Sequence, residues 1–184
     1  DWLLLTKRPQ NFRKLLPARW LQSPRANVWL MTTVESMEYA WRGHELIKTP
    51  AMVRGLSCEP LLGPVDLAKA GLEVDISELD GPAKTNIHWV IAGGESGPGA
   101  RPMHPDWARG LRDQCEASGV AFHFKQWGEW STTPNESSAY GEFHGPSDWI
   151  NSCLCKEGTA TLYRIGKKQA GRLLDGHEWN EVPR

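Results

Sequence analysis

Glu95, Ser96 and Arg101 follow an apolar run in the stretch His88-Trp-Val-Ile-Ala-Gly-Gly-Glu-Ser-Gly-Pro-Gly-Ala-Arg-Pro102. A carboxylate, a hydroxyl and a guanidinium in a glycine-rich turn are the means of acid–base work or of anion capture. The same order, an apolar run and then ionisable residues, recurs with Lys7-Arg8, Glu35-Ser36, Cys58-Glu59, and Lys125-Gln126 followed by Glu129. Lys7, Glu35, Glu59, Glu95 and Lys125 are therefore the candidate catalytic residues. Carboxylates beside lysines divide acid and base roles once burial and neighbouring charge separate their pKa values. Glu35, Glu59 and Glu95 are the oxygen donors a hard cation such as Mg²⁺ takes. Lys7, Arg8 and Arg101 suit a phosphate or carboxylate clamp. Gly93, Gly94, Ser96, Gly97 and Arg101 are the candidate cofactor-binding residues, because glycines let backbone N–H groups approach a ligand closely. The string fits neither the Walker pattern nor the dinucleotide fingerprint.

The elements that must position these groups are legible as apolar runs of strand length at Trp2–Thr6, Val28–Thr33, Met52–Ser57, Trp89–Gly93 and Val120–Phe124. Several are apolar nearly throughout, as parallel strands covered on both faces are. Helical signals separate them. Pro9 opens a segment with Phe12, Leu15 and Leu16 on one face, ended by Pro17. Ser36 is placed to cap a helix carrying Met37, Trp41 and Ile47, stopped at Thr49-Pro50. Pro105 and Asp106 start a third, with Trp107, Leu111 and Cys115 along one stripe and Gly119 as its left-handed end.

Strand, helix, strand at this spacing predicts an α/β fold: a partial TIM-like (β/α) barrel of parallel strands with flanking helices. Functional groups then gather at the carboxyl ends of the strands. Because the chain opens almost inside a strand, it is read as a fragment lacking its amino-terminal strands. Residues 1–130 form the βα repeat; 131–184 form an irregular loop and a small carboxyl-terminal extension, with a second excursion over 66–87.

Composition narrows the classes. No apolar run approaches the roughly 20 residues needed to span a bilayer, so no membrane partner is expected. The net charge of −1 predicts no general attraction to nucleic acid. The charge is uneven, though: residues 1–25 hold Lys7, Arg8, Arg13, Lys14, Arg19 and Arg25 against Asp1. Such a patch can meet phosphate. The four cysteines (Cys58, Cys115, Cys153, Cys155) are too scattered for a disulfide scaffold, which suits reduced thiols and a cytoplasmic location. Cys153-Leu-Cys155 with His144 has no familiar zinc spacing. Of the ten tryptophans, Trp29, Trp89 and Trp107 lie at core-like positions. Trp127 and Trp130 read as core or lid packing residues, with a pocket wall or a stacking platform for a base as the alternative.

Leu5-Thr-Lys-Arg-Pro9, Leu56-Ser-Cys-Glu-Pro-Leu-Leu-Gly-Pro64, Gly93-Gly-Glu-Ser-Gly-Pro-Gly-Ala-Arg-Pro-Met-His-Pro105, Phe124-Lys-Gln-Trp-Gly-Glu129 and Gly166-Lys-Lys-Gln-Ala-Gly-Arg-Leu-Leu-Asp-Gly176 together resemble the phage and prophage gp-thirty-seven/gp-sixty-eight family. The family is uncharacterised and similar to radical S-adenosylmethionine proteins. The resemblance implies S-adenosylmethionine and a [4Fe–4S] centre in a full-length protein, with the cluster held by an amino-terminal cysteine motif that this chain lacks. It makes the chain the carboxyl-terminal, substrate-side part of such an enzyme, whose partner is the amino-terminal part of the same protein. The resemblance brings no substrate and no known reaction; modification of a nucleic acid or a nucleotide is the expectation set beside it. Two alternatives stand beside it: a metal-dependent hydrolase or lyase using the glutamates, and a non-catalytic nucleic-acid-binding module using residues 7–25.

Overall fold

The computed structural model describes residues 1–69, 87–132 and 162–183. His144, Cys153, Cys155 and most of the two excursions lie outside the described residues. Five strands form one sheet: β1 (Trp2–Thr6), β2 (Val28–Thr33), β3 (Val53–Cys58), β4 (Trp89–Gly93) and β5 (Ala121–Gln126). Every neighbouring pair is parallel, and the order across the sheet is the order along the chain. The α/β class follows directly. Among the described residues the sheet is open, with β1 and β5 unpaired with each other.

The register shows which side chains share a face. Leu4 pairs with Leu30, Thr32 with Leu56, Leu56 with Val90 and Val90 with Phe122. These residues, with Cys58, Ala92 and Phe124, meet Leu46 of helix α3 (Trp41–Ile47) and Ala108, Leu111 and Cys115 of helix α4 (Pro105–Ser118) in one core. The opposite face carries Leu3, Leu5, Trp29, Met31, Gly55, Trp89, Ile91 and His123 by strand alternation. Trp29 meets Trp89 edge to face at 5.6 Å there, and Trp89 meets His123 at 6.2 Å.

Helix α4 starts and stops as its residues dictate. Pro105 occupies the first turn, His104 Nδ1 accepts from the Asp106 N–H at 3.2 Å, and Gly119 ends the helix at φ 66°. The earlier helical segments differ from the sequence expectation. The stretch from Pro9 divides into a 3-10 turn (Pro9–Asn11) and a short α1 (Phe12–Leu15), and an unanticipated α2 (Ala18–Gln22) begins after Pro17. The Ser36 side chain makes no capping bond; a 3-10 turn (Met37–Tyr39) precedes α3 instead.

A small antiparallel pair, β6 (Trp130–Ser131) with β7 (Tyr163–Arg164), and helix α5 (Lys167–Ala170) follow. The tail then returns to the sheet. Trp179 O accepts from Phe124 N at 2.9 Å, Glu181 N donates to Phe122 O at 3.1 Å, and Asn180 bridges His123. Arg109 and Arg112 of α4 pin it through Asp175 at 2.8 and 2.6 Å, and Arg112 lies 5.4 Å from the Trp179 ring. The outer edge of β5 is thereby covered. Trp2 N donates to Asn27 O toward β2, so the alternating backbone groups of Leu3 and Leu5 face outward from β1, with both side chains exposed.

Candidate functional site

All five candidate catalytic residues stand at the carboxyl edge of the sheet, because parallel strands end on one side. Lys7 follows β1, Glu35 follows β2, Glu59 follows β3 and Glu95 follows β4. Lys125 lies inside β5, which runs two residues further than the apolar pattern indicates. The extension arises at a register shift after Ala92: Gly93 pairs with Gln126, and Gly94 N donates to Gln126 O at 2.9 Å. Five strands at their usual spacing set β1 about 19 Å from β5. Lys7 and Lys125 therefore occupy opposite sides of the mouth, and the charges fall into three groups.

The first group is centred on Glu35, whose side chain is only 6% exposed. Lys7 Nζ reaches Oε1 at 2.6 Å and Arg42 Nη1 reaches Oε2 at 2.8 Å, so both oxygens are saturated. Arg42 also donates to Thr33 O at 3.2 Å and lies 4.3 Å from the Tyr39 ring. It was invisible as a site residue because it sits on a helix, away from any strand end. The second group is Glu95 with Arg101, joined by Nε and Nη2 at 2.8 Å each, with the Arg101 N–H adding a third bond at 2.8 Å. These bonds hold the Glu95 carboxyl down at about 2, and the pairing raises Arg101. Glu35 and Tyr39 also lie within electrostatic reach of Arg101.

The third group spans two strands. Lys125 Nζ of β5 meets Glu59 Oε2, after β3, at 3.0 Å. Strand β4 lies between them, and the crossing residue is Gly93, where a Cβ would fall 3.0 Å from Glu59 Oε1. The absence of a side chain at 93 makes room for the pair. The segment after β3 is tied on both sides: Leu61 N donates to Gly93 O at 2.9 Å and Leu62 N to Glu35 O at 2.8 Å. Glu59 is thus fixed over the middle of the sheet.

The glycine turn divides into two halves. A Cβ on Gly94 would lie 1.8 Å from Trp127 O, so this glycine serves the crossing of the two loops after β4 and β5. Gly93 and Gly94 are buried by the chain itself. Gly97 and Gly99 have positive φ (98° and 77°) and open space where a Cβ would point. Gly97 N donates to Glu129 Oε1 at 3.0 Å and its carbonyl accepts from Arg164 at 3.2 Å. Ser96 is exposed and accepts from Gln126 Nε2 at 3.0 Å. Glu129 and Arg164 thus shape the turn from elements whose contact the sequence did not signal.

Trp127 and Trp130 are buried, donating their indole N–H groups to Leu173 O and Ala100 O, which makes them packing residues. Burial, then the charge of Arg172, lowers the pKa of His123. Cys58 and Cys115 are buried free thiols; burial raises both, Cys115 to about 12. These two enclosed thiols fall short, among the described residues, of the three cysteine ligands that such an iron–sulfur centre takes. Among the described residues no group of three or more His, Cys, Asp or Glu side chains is arranged to hold a metal ion. Glu35 is drawn to Lys7 and Arg42, Glu59 to Lys125 and Glu95 to Arg101, rather than to one another. No described helix is long and apolar enough to cross a membrane.

No curated protein and no solved structure matches the chain. Residues 1–183 match the sequence model of a family described as a protein of unknown function, DUF5131, and the chain belongs to that family.

Proposed function

We propose that the mouth at the carboxyl edge of the sheet binds a ligand through an anionic group, and that the chain is the substrate-side part of a barrel-type enzyme acting on a nucleotide or nucleic acid. One observation carries the reading. All five strands deliver ionisable groups to one edge, and the cations Lys7, Arg8, Arg42, Arg101, Lys125 and Arg164 outnumber the carboxylates Glu35, Glu59, Glu95 and Glu129. Lys7, Arg8, Arg101 and Lys125 are exposed, and beyond their bonds to Glu35, Glu95 and Glu59 the ammonium groups and the Arg101 guanidinium keep further N–H donors for a phosphate. The barrel reading rests on the unbroken strand order and on helices α3 and α4 sharing one face. Further strands would add at the open edge of β1, since the tail covers β5.

The resemblance to the phage and prophage family suggests S-adenosylmethionine as cofactor. The described cysteines supply no cluster ligands, so no radical step is assigned to them. Calorimetric titration with inorganic pyrophosphate at low ionic strength tests the binding reading. Binding that weakens with salt and falls at least tenfold in Arg101→Ala is expected. The absence of binding in a folded protein would overturn it.

A second reading has its own support. Arg13, Lys14, Arg19 and Arg25 are exposed on or beside α1 and α2 and make no ion pair among the described residues. A band of this kind binds nucleic acid by counterion release. For a single-stranded oligonucleotide, replacing Arg13 and Lys14 by Ala is expected to flatten the slope of log K against log salt by roughly 1.4. An unchanged slope would remove this reading.

A further inference from the structure

The amino ends of β1 and β2 frame a cleft that plays no part in the mouth. It encloses about 220 Å³ and is lined by Trp2 and Leu4 of β1, Trp20 of α2, and Arg25, Asn27 and Val28 at the entry to β2. One side is firm: Leu4, Trp20 and Val28 pack into the core, Trp2 N donates to Asn27 O at 2.8 Å, and Val28 N donates to Arg25 O at 3.2 Å. The rim is open. Trp2 is 69% exposed, and among the described residues its indole N–H has no hydrogen-bond partner and its ring meets no other ring. The guanidinium of Arg25 and the carboxamide of Asn27 are exposed and equally unengaged. A single exposed indole carries no meaning alone. Here it borders a row of cations. Residues 7–27 return from the carboxyl to the amino edge of the sheet, and Arg13, Lys14, Arg19 and Arg25 lie on that path without an ion pair among the described residues. Asp1 is the one acidic residue in the first 27.

A partner for this surface is anionic along its length and offers a flat apolar face to the cleft. An acidic peptide meets only the first need. A single-stranded nucleic acid meets both, because its bases are unpaired and every base has a π face. The cleft is smaller than the roughly 300–1,000 Å³ of pockets that enclose a drug-sized ligand, so it takes one ring system. We propose that this cleft holds one unstacked base of a single-stranded nucleic acid. Trp2 is the stacking platform, and Asn27 offers a donor and an acceptor to the edge of the base. Arg25, Arg19, Lys14 and Arg13 meet the phosphates that follow. The inference rests on the nucleic-acid reading of residues 13–25 and adds a base site to a band that otherwise meets phosphate alone. The cleft lies roughly 16 Å along the strands from the mouth, so the two sites are distinct.

The test compares two probes on the 184-residue chain: an eight-nucleotide oligothymidylate, and an abasic strand of the same length and charge. The oligothymidylate is expected to bind at least about fivefold more tightly, the lower end of what one stacked base contributes. Trp2→Ala should make the two strands bind alike while leaving the salt dependence unchanged. Trp2→Phe, which keeps a smaller ring, should retain part of the preference and guards against misfolding of the alanine variant. Arg25→Ala should weaken both strands and flatten the slope of log K against log salt by roughly 0.7. If neither strand binds the folded protein, the nucleic-acid reading of residues 13–25 falls and this inference with it. If the two strands bind equally, or the preference persists in Trp2→Ala, the base site alone is overturned.

Discussion

At the residue scale, Glu35 shows how exposure decides the worth of an ion pair. Its partners differ: Lys7 is 61% exposed, whereas Arg42 is 12% exposed and has no partner for Nε. Removing the carboxylate strands a buried guanidinium, so Glu35→Ala is expected to lower unfolding stability by about 3 kcal/mol. Lys7→Ala should cost less than about 1 kcal/mol, because water already screens that charge. Urea unfolding of the two variants checks this, and equal losses would contradict it. The pattern of the chain disclosed Glu35, Glu59 and Glu95 because each follows an apolar run directly. It gave no hint that Glu35 and Glu95 are saturated while Glu59 has no partner on Oε1. That distinction depends on Arg42 and on a glycine of the strand between Glu59 and Lys125, both products of tertiary structure.

At the element scale, the two halves of the glycine turn make opposite predictions. Gly94→Ala drives a Cβ into Trp127 O and should destabilise by at least about 3 kcal/mol, because backbone on both sides must move. Gly97→Ala meets nothing and bears only its positive φ, a cost of about 1 kcal/mol. Thermal unfolding separates them. The tail gives a pH prediction. Arg109 and then Arg112 hold Asp175 down at about 2, below the ordinary value near 3.9. A depressed carboxyl contributes stability that is present above about pH 4 and fades as pH falls toward 2. The protection from exchange of the amides of Phe122 and Phe124, one bonded to the Glu181 carboxylate and the other to Trp179 O, should therefore fall over that window when measured against the unstructured rate at each pH. Asp175→Asn should remove the dependence. Strands β1, β2 and β4 were legible to the residue because nearly continuous apolar runs have sharp ends. Helix α4 was legible through Pro105 and Gly119. The short helices before β3 were legible only in outline: the segments from Pro9 and from Ser36 were read, but their 3-10 turns and α2 were not, since so few turns leave little periodicity, and the tail's pairing with β5 carries no local signal.

At the scale of the molecule, a parallel sheet wound in one direction places every strand's carboxyl end on the same side. The chemistry of the chain is concentrated there for that reason, and the order of apolar runs was enough to foresee it. The openness of the sheet was not foreseeable in detail, because closure depends on strand number and tilt rather than on any local pattern. The most direct measurement is a backbone amide NMR titration of the 184-residue chain with inorganic pyrophosphate. Binding at the mouth predicts saturable shifts at Ser96, Gly97, Gly99, Arg101 and Lys125, with residues 13–25 undisturbed. Shifts confined to residues 13–25, or none at all, would contradict a ligand site at the carboxyl edge of the sheet.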